Sequence, residues 1–290
     1  AGKAYNKGIE LAGEGKTMEA IESYNKCAEI CAELGEVGEG LKIKAETQVT
    51  NLYMNMGIEQ LKEKKYDSAI ILLTETKVYA DKLDDPATND KLNNYFAAAY
   101  TGKGIELYKT KKYKKAVDEY NKALEFNPKY GSAHYYLVLT YSKLDDSGML
   151  EESVNNVMKY STKEEQKTKA NLAAGSYYLK SAHNAVKDEQ YNIATAMAEK
   201  SLMYNPDNAQ TFYLLALAYN EQENWGNAVK AAEKSVSYEG EDKSSYYFEL
   251  GRAYEGMENK EKACEAYGKV TKGPNKDAAE YQRVNVLRCY

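Results

Sequence analysis

The sequence predicts an all-α fold, built as a solenoid of helical hairpins. Its apolar residues recur at helical spacing over most of the chain. The composition is rich in Lys, Glu, Ala and Leu, which favours helix, and only 4 of the 290 residues are proline. A helix–turn–helix pattern also recurs along the chain. Because no stretch has the composition of a flexible linker, we expect a single domain that spans residues 1–290.

The clearest hairpin runs from Gly104 to Pro128. Two closely packed helices need small side chains where their axes approach, because larger ones would hold the backbones apart. Gly104 and Ala116 fit this need, and Tyr120 and Leu124 are helical neighbours that fill the space beside the crossing. Pro128 ends the second helix, since the residue before a proline is disfavoured in the helical region.

The same pattern recurs about seven times. We place the hairpins near residues 1–35, 39–84, 90–128, 131–160, 162–206, 209–240 and 244–273. The first helix of the second hairpin is expected to begin near Glu39, and that of the third near Asp90. Thr162, followed three residues later by Glu165, is a capping signal for the fifth hairpin. The residues at the crossings are Gly8, Gly57, Gly104, Val138, Ala182, Ala216 and Gly251.

A capping helix is predicted at residues 277–289, with Asp277 and Glu280 as its capping pair. In a solenoid, only a neighbouring element can cover the apolar face of the terminal repeat. The last helix is therefore expected to cover the seventh hairpin. Its inward-facing residues are predicted to be Ala278, Tyr281, Val284, and either Leu287 or Val286.

The spacing of the crossings resembles that of the tetratricopeptide repeat (TPR), a helix–turn–helix unit of 34 residues. Gly104 and Val138 are 34 apart, as are Ala182 and Ala216, while Ala216 and Gly251 are 35 apart. Hairpins six and seven match the repeat best, with Phe212, Leu215, Ala216, Tyr219 and Ala228, and then Tyr247, Leu250, Gly251, Tyr254, Ala263 and Tyr267. The resemblance covers nearly the whole chain and implies a right-handed α-solenoid. We attribute the longer intervals, such as 49 from Gly8 to Gly57, to longer helices and helix-entry loops.

Charge and motifs argue against several classes of function. A net charge of -5 does not suit nucleic-acid binding, which needs a basic face. No stretch approaches the ~20 apolar residues of a membrane span. No HExxH, GxSxG, Walker or GxGxxG pattern occurs, and the two histidines, His134 and His183, occupy non-equivalent repeat positions. We expect no enzyme activity, no metal and no cofactor, and we interpret His134 as a packing residue.

The resemblance implies that the first helix of each hairpin lines a concave groove. The residues expected there as contacts for a ligand are Tyr135, His183, Tyr213, Asn220, Phe248 and Arg252. Aromatic anchors in a concavity with a few polar groups suit a peptide or a helix. The predicted function is therefore a scaffold that binds a segment of a partner protein. The alternatives are a structural subunit of a cell-envelope or secretion assembly, which would use its convex face or its ends, and an α-helical enzyme.

The chain has four cysteines. Cys27 and Cys31, one helical turn apart, are interpreted as small packing residues, while Cys264 and Cys289 could meet and form a disulfide. That possible bridge, the bias towards Tyr, Asn and Lys, and the absence of an initiator methionine are similar to exported TPR proteins of Gram-negative bacteria. We therefore expect a periplasmic or cell-envelope location, with the cytoplasm as the alternative.

Overall fold

The computed structural model describes residues 1–238, 240 and 242–289. These residues form fifteen α-helices, one π-helical turn and no strand, so the fold is an all-α solenoid of helical hairpins, as predicted. The chain divides into an N-terminal unit, Ala1–Lys167, and a C-terminal unit, Thr168–Tyr290. The helices are α1 (Gly2–Gly13), α2 (Thr17–Glu33), α3 (Glu36–Lys62), α4 (Tyr66–Leu83), α5 (Pro86–Lys109), α6 (Tyr113–Phe126), α7 (Gly131–Leu144), α8 (Ser147–Tyr160), α9 (Glu164–Lys187), α10 (Tyr191–Tyr204), α11 (Ala209–Glu221), α12 (Trp225–Ser237), α13 (Ser244–Gly256), α14 (Lys260–Gly268) and α15 (Lys276–Tyr281), and the π-helical turn is Gln282–Val286.

Helices begin at capping residues that the sequence reading only partly identified. α5 begins four residues before the expected Asp90, because Asp85 accepts a hydrogen bond from the Ala87 amide at 3.0 Å and Pro86 occupies the first turn. Before α9, which begins at Glu164, the Ser161 hydroxyl accepts a hydrogen bond from the Lys163 amide at 3.2 Å, and the capping signal at Thr162 stays a prediction. The predicted capping pair of the last helix is wrong, since α15 has Asn275 at its N-cap and no side-chain cap.

Where α5 and α6 cross, the backbone of Gly104 packs against the aromatic ring of Tyr120. A Cβ atom added to Gly104 would lie 2.3 Å from Cε1 of Tyr120, which is fully buried. The absence of a side chain at Gly104 thus makes room for the Tyr120 ring. The sequence had predicted instead that Gly104 would face the small side chain of Ala116. The same pairing recurs at a fixed separation of sixteen positions in Gly8 with Tyr24, Gly57 with Leu73, and Gly251 with Tyr267.

Successive hairpins are joined by an aromatic residue at the start of a second helix. The ring of Tyr66 lies against Gly102 of the next hairpin, where an added Cβ would be 2.2 Å from Cε1. Trp225 packs in the same way on Gly256, with 2.2 Å to Cδ2. Each hairpin therefore depends on its neighbour for part of its packing, as expected for stacked repeats.

The first helices of the hairpins form the inner side of each stack. In the N-terminal unit α3 contacts α5 and α5 contacts α7, and in the C-terminal unit α11 contacts α13. Within the described part of each unit, successive second helices, such as α4 and α6 or α12 and α14, make no contact of this extent. The first-helix surface is therefore the side on which successive hairpins approach most closely.

The C-terminal segment, residues 276–289, packs against α13 and α14. Ala279 is buried and Leu287 packs on the core of the C-terminal unit, but Tyr281 and Val284 are 59% and 48% exposed. The predicted inward orientation of Tyr281 and Val284 is therefore wrong. The inward face is already displaced by one residue in α15, where Ala279 is buried and the expected Ala278 is exposed. The π-helical turn that follows, in which the Leu287 amide donates to the Gln282 carbonyl at 2.8 Å, then adds one residue before Leu287 reaches the core.

The described helices include none with the length and hydrophobicity that a membrane span requires. Cys264 in α14 and Cys289 at the end of the C-terminal segment are joined by a disulfide in the structure, with their Cα atoms 5.7 Å apart. The formation of this bond in the protein as the cell makes it remains a prediction. Cys27 and Cys31 are buried free thiols, in agreement with their interpretation as packing residues.

Candidate functional site

The predicted groove residues fall on first helices of both units. Tyr135 lies on α7 of the N-terminal unit, where its ring packs edge-on against Tyr136 at 5.1 Å. The other five belong to the C-terminal unit, and among them His183 on α9 is exposed. His134, in contrast, is buried as predicted. Its ring stacks on Tyr160 at 5.5 Å, and burial lowers its pKa.

Two of the predicted residues, Phe248 and Arg252, line one cavity of about 310 Å³ in the C-terminal unit. They lie one turn apart on α13, so both side chains project from the same face of that helix. The C-terminal segment forms the opposite wall. The full lining is Trp225, Phe248, Arg252, Glu255, Gly256, Tyr267, Ala278 and Gln282.

Aromatic side chains form much of the cavity wall. The ring of Phe248 is half-buried and lies 5.9 Å from that of Tyr267, and Trp225 is fixed by its contact with Gly256. On the neighbouring helix α11, the half-buried ring of Tyr213 lies 5.4 Å from that of Tyr246. These rings are held by packing, so the surface they present is largely pre-formed, which lowers the entropic cost of binding.

The charge of Arg252 is neutralised by two carboxylates. Nη1 donates to Glu249 at 3.1 Å and Nη2 donates to Glu221 at 2.7 Å. Glu249 is only 3% exposed. Arg252 is therefore a structural part of the surface, and its donors are not directed at an incoming anion.

Asn220 is buried, with 1% of its surface exposed. Its Nδ2 donates to the Glu249 carbonyl at 2.9 Å and to Oε2 of Glu249 at 2.8 Å. The expectation that Asn220 contacts a ligand directly does not fit this position. Its side chain holds the Glu249 carboxylate in place, and Glu249 in turn holds Arg252.

Burial raises the pKa of Glu249, although Arg252 and the Asn220 amide act in the opposite direction. The folded protein therefore binds the proton of the Glu249 carboxyl group more tightly than the unfolded chain does. The stabilising contribution is complete below the ordinary glutamate pKa of 4.5 and is lost as the pH rises through the higher folded value. We expect the free energy of unfolding of the wild type, relative to Glu249→Gln, to fall as the pH rises above 4.5. Urea denaturation of both proteins over a pH series measures this difference in the free energy of unfolding. A difference that stays constant or rises with pH would contradict the raised pKa of Glu249.

Sequence reasoning missed several lining residues. Glu255 could have been found, because it lies three residues after Arg252 and seven after Phe248 on one helical face. Trp225 packs on Gly256 and Tyr267 packs on Gly251, and both rings also line the cavity. Gln282 was missed because the inward face of the C-terminal segment is displaced by one residue from the expected face, on which Tyr281 had been placed.

No cluster of three or more His, Cys, Asp or Glu residues suited to a metal ion occurs in the described part of the chain. The fold and the surface of the C-terminal unit thus define a helical-repeat protein whose first helices carry aromatic side chains that are held by packing.

The sequence profile described as Tetratricopeptide repeat matches residues 97–130, and a second profile of the same description matches residues 244–272. Two stretches of the chain, one in each unit, therefore carry tetratricopeptide repeats. The first match covers hairpin three and the second covers α13 and α14, which carry the cavity. No curated protein matches the sequence significantly.

Several solved structures are similar to this chain at low identity. A tetratricopeptide repeat protein from Parabacteroides merdae is 17% identical, with 99% of this chain and 98% of that chain covered and a TM-score of 0.31. The TPR domain of P58(IPK) is 14% identical, with 99% and 96% covered and a TM-score of 0.37. The MamA protein is 20% identical, with 64% and 96% covered and a TM-score of 0.40.

Proposed function

We propose that this chain binds a peptide or helical segment of a partner protein on the first-helix surface of its C-terminal unit. The tetratricopeptide repeats of the chain favour a general role as a protein-interaction scaffold, and proteins of this family are generally non-enzymatic. The observation that carries the proposal is the cavity of about 310 Å³, with Phe248 at its wall and Trp225 and Tyr267 beside it. Large, fixed aromatic side chains in a concavity are the usual anchors for a bound segment.

The aromatic surface extends to α11. Tyr213 and Phe248 lie on first helices that contact each other, so a bound segment could run across both. Burial raises the pKa of Tyr213, with the Glu249 charge acting in the same direction, so its hydroxyl stays protonated at neutral pH and can donate a hydrogen bond. An extended or helical segment would thus find apolar contacts at both rings and polar contacts between them.

A panel of random peptides displayed on phage, selected on the whole chain, tests the proposal. Peptides that bind the wild type are expected to bind Phe248→Ala about thirty-fold more weakly, the equivalent of losing one aromatic anchor worth about 2 kcal/mol. The matched control is Met203→Ala, because Met203 lies on the second helix α10 and is 79% exposed. Affinity is measured by fluorescence anisotropy with synthetic copies of the selected peptides.

Phe248 also packs on the core, so Phe248→Leu serves as a second variant that keeps apolar volume but lacks the ring. Each variant is first shown to melt as a folded protein. If the selected peptides bind both Phe248 variants as tightly as the wild type, or lose affinity only for Met203→Ala, the first-helix surface is not the binding site.

A second candidate function is a structural subunit of a cell-envelope or secretion assembly that makes contact through its end. The observation in its favour is the exposed apolar row of the C-terminal segment, where Tyr281, Val284 and Val286 are 59%, 48% and 50% exposed. The proposed periplasmic or cell-envelope location rests on the pairing of Cys264 with Cys289, since structural disulfides persist in oxidising compartments.

A further inference from the structure

We propose that the cavity beside α13 takes a basic side chain of the bound segment, with arginine preferred over lysine. This inference rests on the proposed function, and it names the chemistry that the cavity recognises. Three features of the cavity support it: its aromatic walls, the balance of its charges, and one acceptor without a partner.

The aromatic walls suit a cation. Phe248, Trp225 and Tyr267 all line the cavity. A guanidinium or ammonium group beside aromatic rings is attracted by their electron-rich faces, most strongly by tryptophan. Arginine gains more than lysine at such a site, because its planar group stacks on rings and is more weakly hydrated.

The charges around the cavity are mainly negative. Arg252 is the one cation among the lining residues that the structure describes, and both of its neighbours, Glu249 and Glu221, are carboxylates. Glu255 is the one carboxylate among the described residues of the cavity wall, and Glu249 and Glu221 lie behind Arg252. An anionic group entering here would meet the Glu255 carboxylate and a guanidinium that is already paired, whereas a cation would be attracted by Glu255.

Glu255 retains capacity to accept hydrogen bonds. Its Oε2 accepts a hydrogen bond from the Tyr267 hydroxyl at 2.7 Å. An ionised carboxylate has about four lone-pair sites, so a single donor leaves most of them open. Burial raises the pKa of Tyr267, and the Glu255 charge acts in the same direction, so the hydroxyl stays protonated and keeps the carboxylate oriented.

Gln282 supplies the acceptor without a partner. Its Oε1 atom is buried and has no hydrogen-bond partner among the described residues, and Gln282 lines the cavity. A buried acceptor left unpaired has lost its hydrogen bonds to water without replacement, which is unfavourable. An apolar side chain in the cavity would leave this cost in place, while the several N–H donors of a guanidinium could bond to both Gln282 and Glu255.

The test uses the whole chain and the fluorescence of Trp225, the single tryptophan of the sequence, excited selectively over tyrosine. The probes are N-acetyl-arginine amide and its neutral isostere, N-acetyl-citrulline amide. The arginine probe is expected to change the emission in a saturable way, with an affinity at least about ten-fold higher than that of the citrulline probe, because a close charge pair is worth more than about 1.4 kcal/mol at a partly buried site.

Glu255→Gln is expected to weaken the arginine probe at least ten-fold, and Gln282→Leu is expected to weaken it without changing the charge of the protein. The control is Glu261→Gln, which removes the same charge from the exposed first turn of α14 and lies outside the cavity. Equal affinity for the two probes, or equal losses in Glu255→Gln and Glu261→Gln, would overturn the inference.

The outcomes separate this inference from the proposed function. Selected peptides that depend on Phe248 but contain no basic residue, together with no response to the arginine probe, would leave the proposed function in place and remove the inference. A saturable arginine response with no Phe248-dependent peptide would remove the proposed function and would leave the preference of the cavity for a basic side chain in place.

Discussion

Replacing Tyr120 by alanine is expected to lower the free energy of unfolding of the N-terminal unit by about 3–5 kcal/mol. The Tyr120 ring is fully buried between α5 and α6, and the backbone of Gly104 lies directly against it. Removing the ring leaves a cavity at the crossing of hairpin three, which also packs on α4 and α7. Guanidinium denaturation combined with hydrogen exchange of α5 and α6 measures the loss. Ile71→Ala, on an exposed face of α4, is the control.

A double-mutant cycle with Gly104→Ala tests the crossing itself. In the wild type, the added methyl group would lie 2.3 Å from the Tyr120 ring, so Gly104→Ala should destabilise the unit. In the Tyr120→Ala background the ring is gone, and the same substitution should stabilise the unit, since alanine is about 1 kcal/mol better than glycine in a helix. An effect of the same sign in both backgrounds would contradict the crossing described here.

The second large effect is expected at the disulfide. Cys289→Ser should lower the free energy of unfolding of the C-terminal unit by about 3.5 kcal/mol, because a bond across 25 residues restricts the unfolded chain. It should also weaken peptide binding, since Gln282 and Ala278 lie in the segment that the bond holds against α14. Denaturation with and without reductant measures the stability change.

Reductant provides the matched control, because it should destabilise the wild type and leave Cys289→Ser unchanged. Mass spectrometry without reductant, on protein isolated from its native cell, also tests the proposed oxidising location. Free thiols at both Cys264 and Cys289 in that material would remove both the bond and the argument for a periplasmic or cell-envelope site.

The hairpins could be predicted because their spacing is set by local physics. Gly104, Ala116 and Pro128 mark two helices and their end directly in the sequence. The buried ring of His134 followed from its place in the repeat. Phe248 and Arg252 could be assigned to one surface because residues four apart on a helix share a face.

The rest depended on contacts between distant residues or on an irregular backbone. Asn220 and Glu249 pair across 29 positions of the sequence, so the burial of Asn220 could not be read from its position in α11. The inward face of the C-terminal segment is displaced by one residue, with Ala279 buried instead of Ala278, and this displacement brings Gln282 to the cavity. The π-helical turn at Gln282–Val286, which has no simple sequence signal, adds a further residue before Leu287.

Photo-crosslinking from a single position tests the central claim most directly. Benzoyl-phenylalanine is placed either at position 248, on the first helix α13, or at position 203, on the second helix α10, in the whole chain in its native cell. The proposed function predicts a discrete crosslinked partner from position 248 and none from position 203. Crosslinks from position 203 alone would contradict it and would favour an assembly contact on the opposite face.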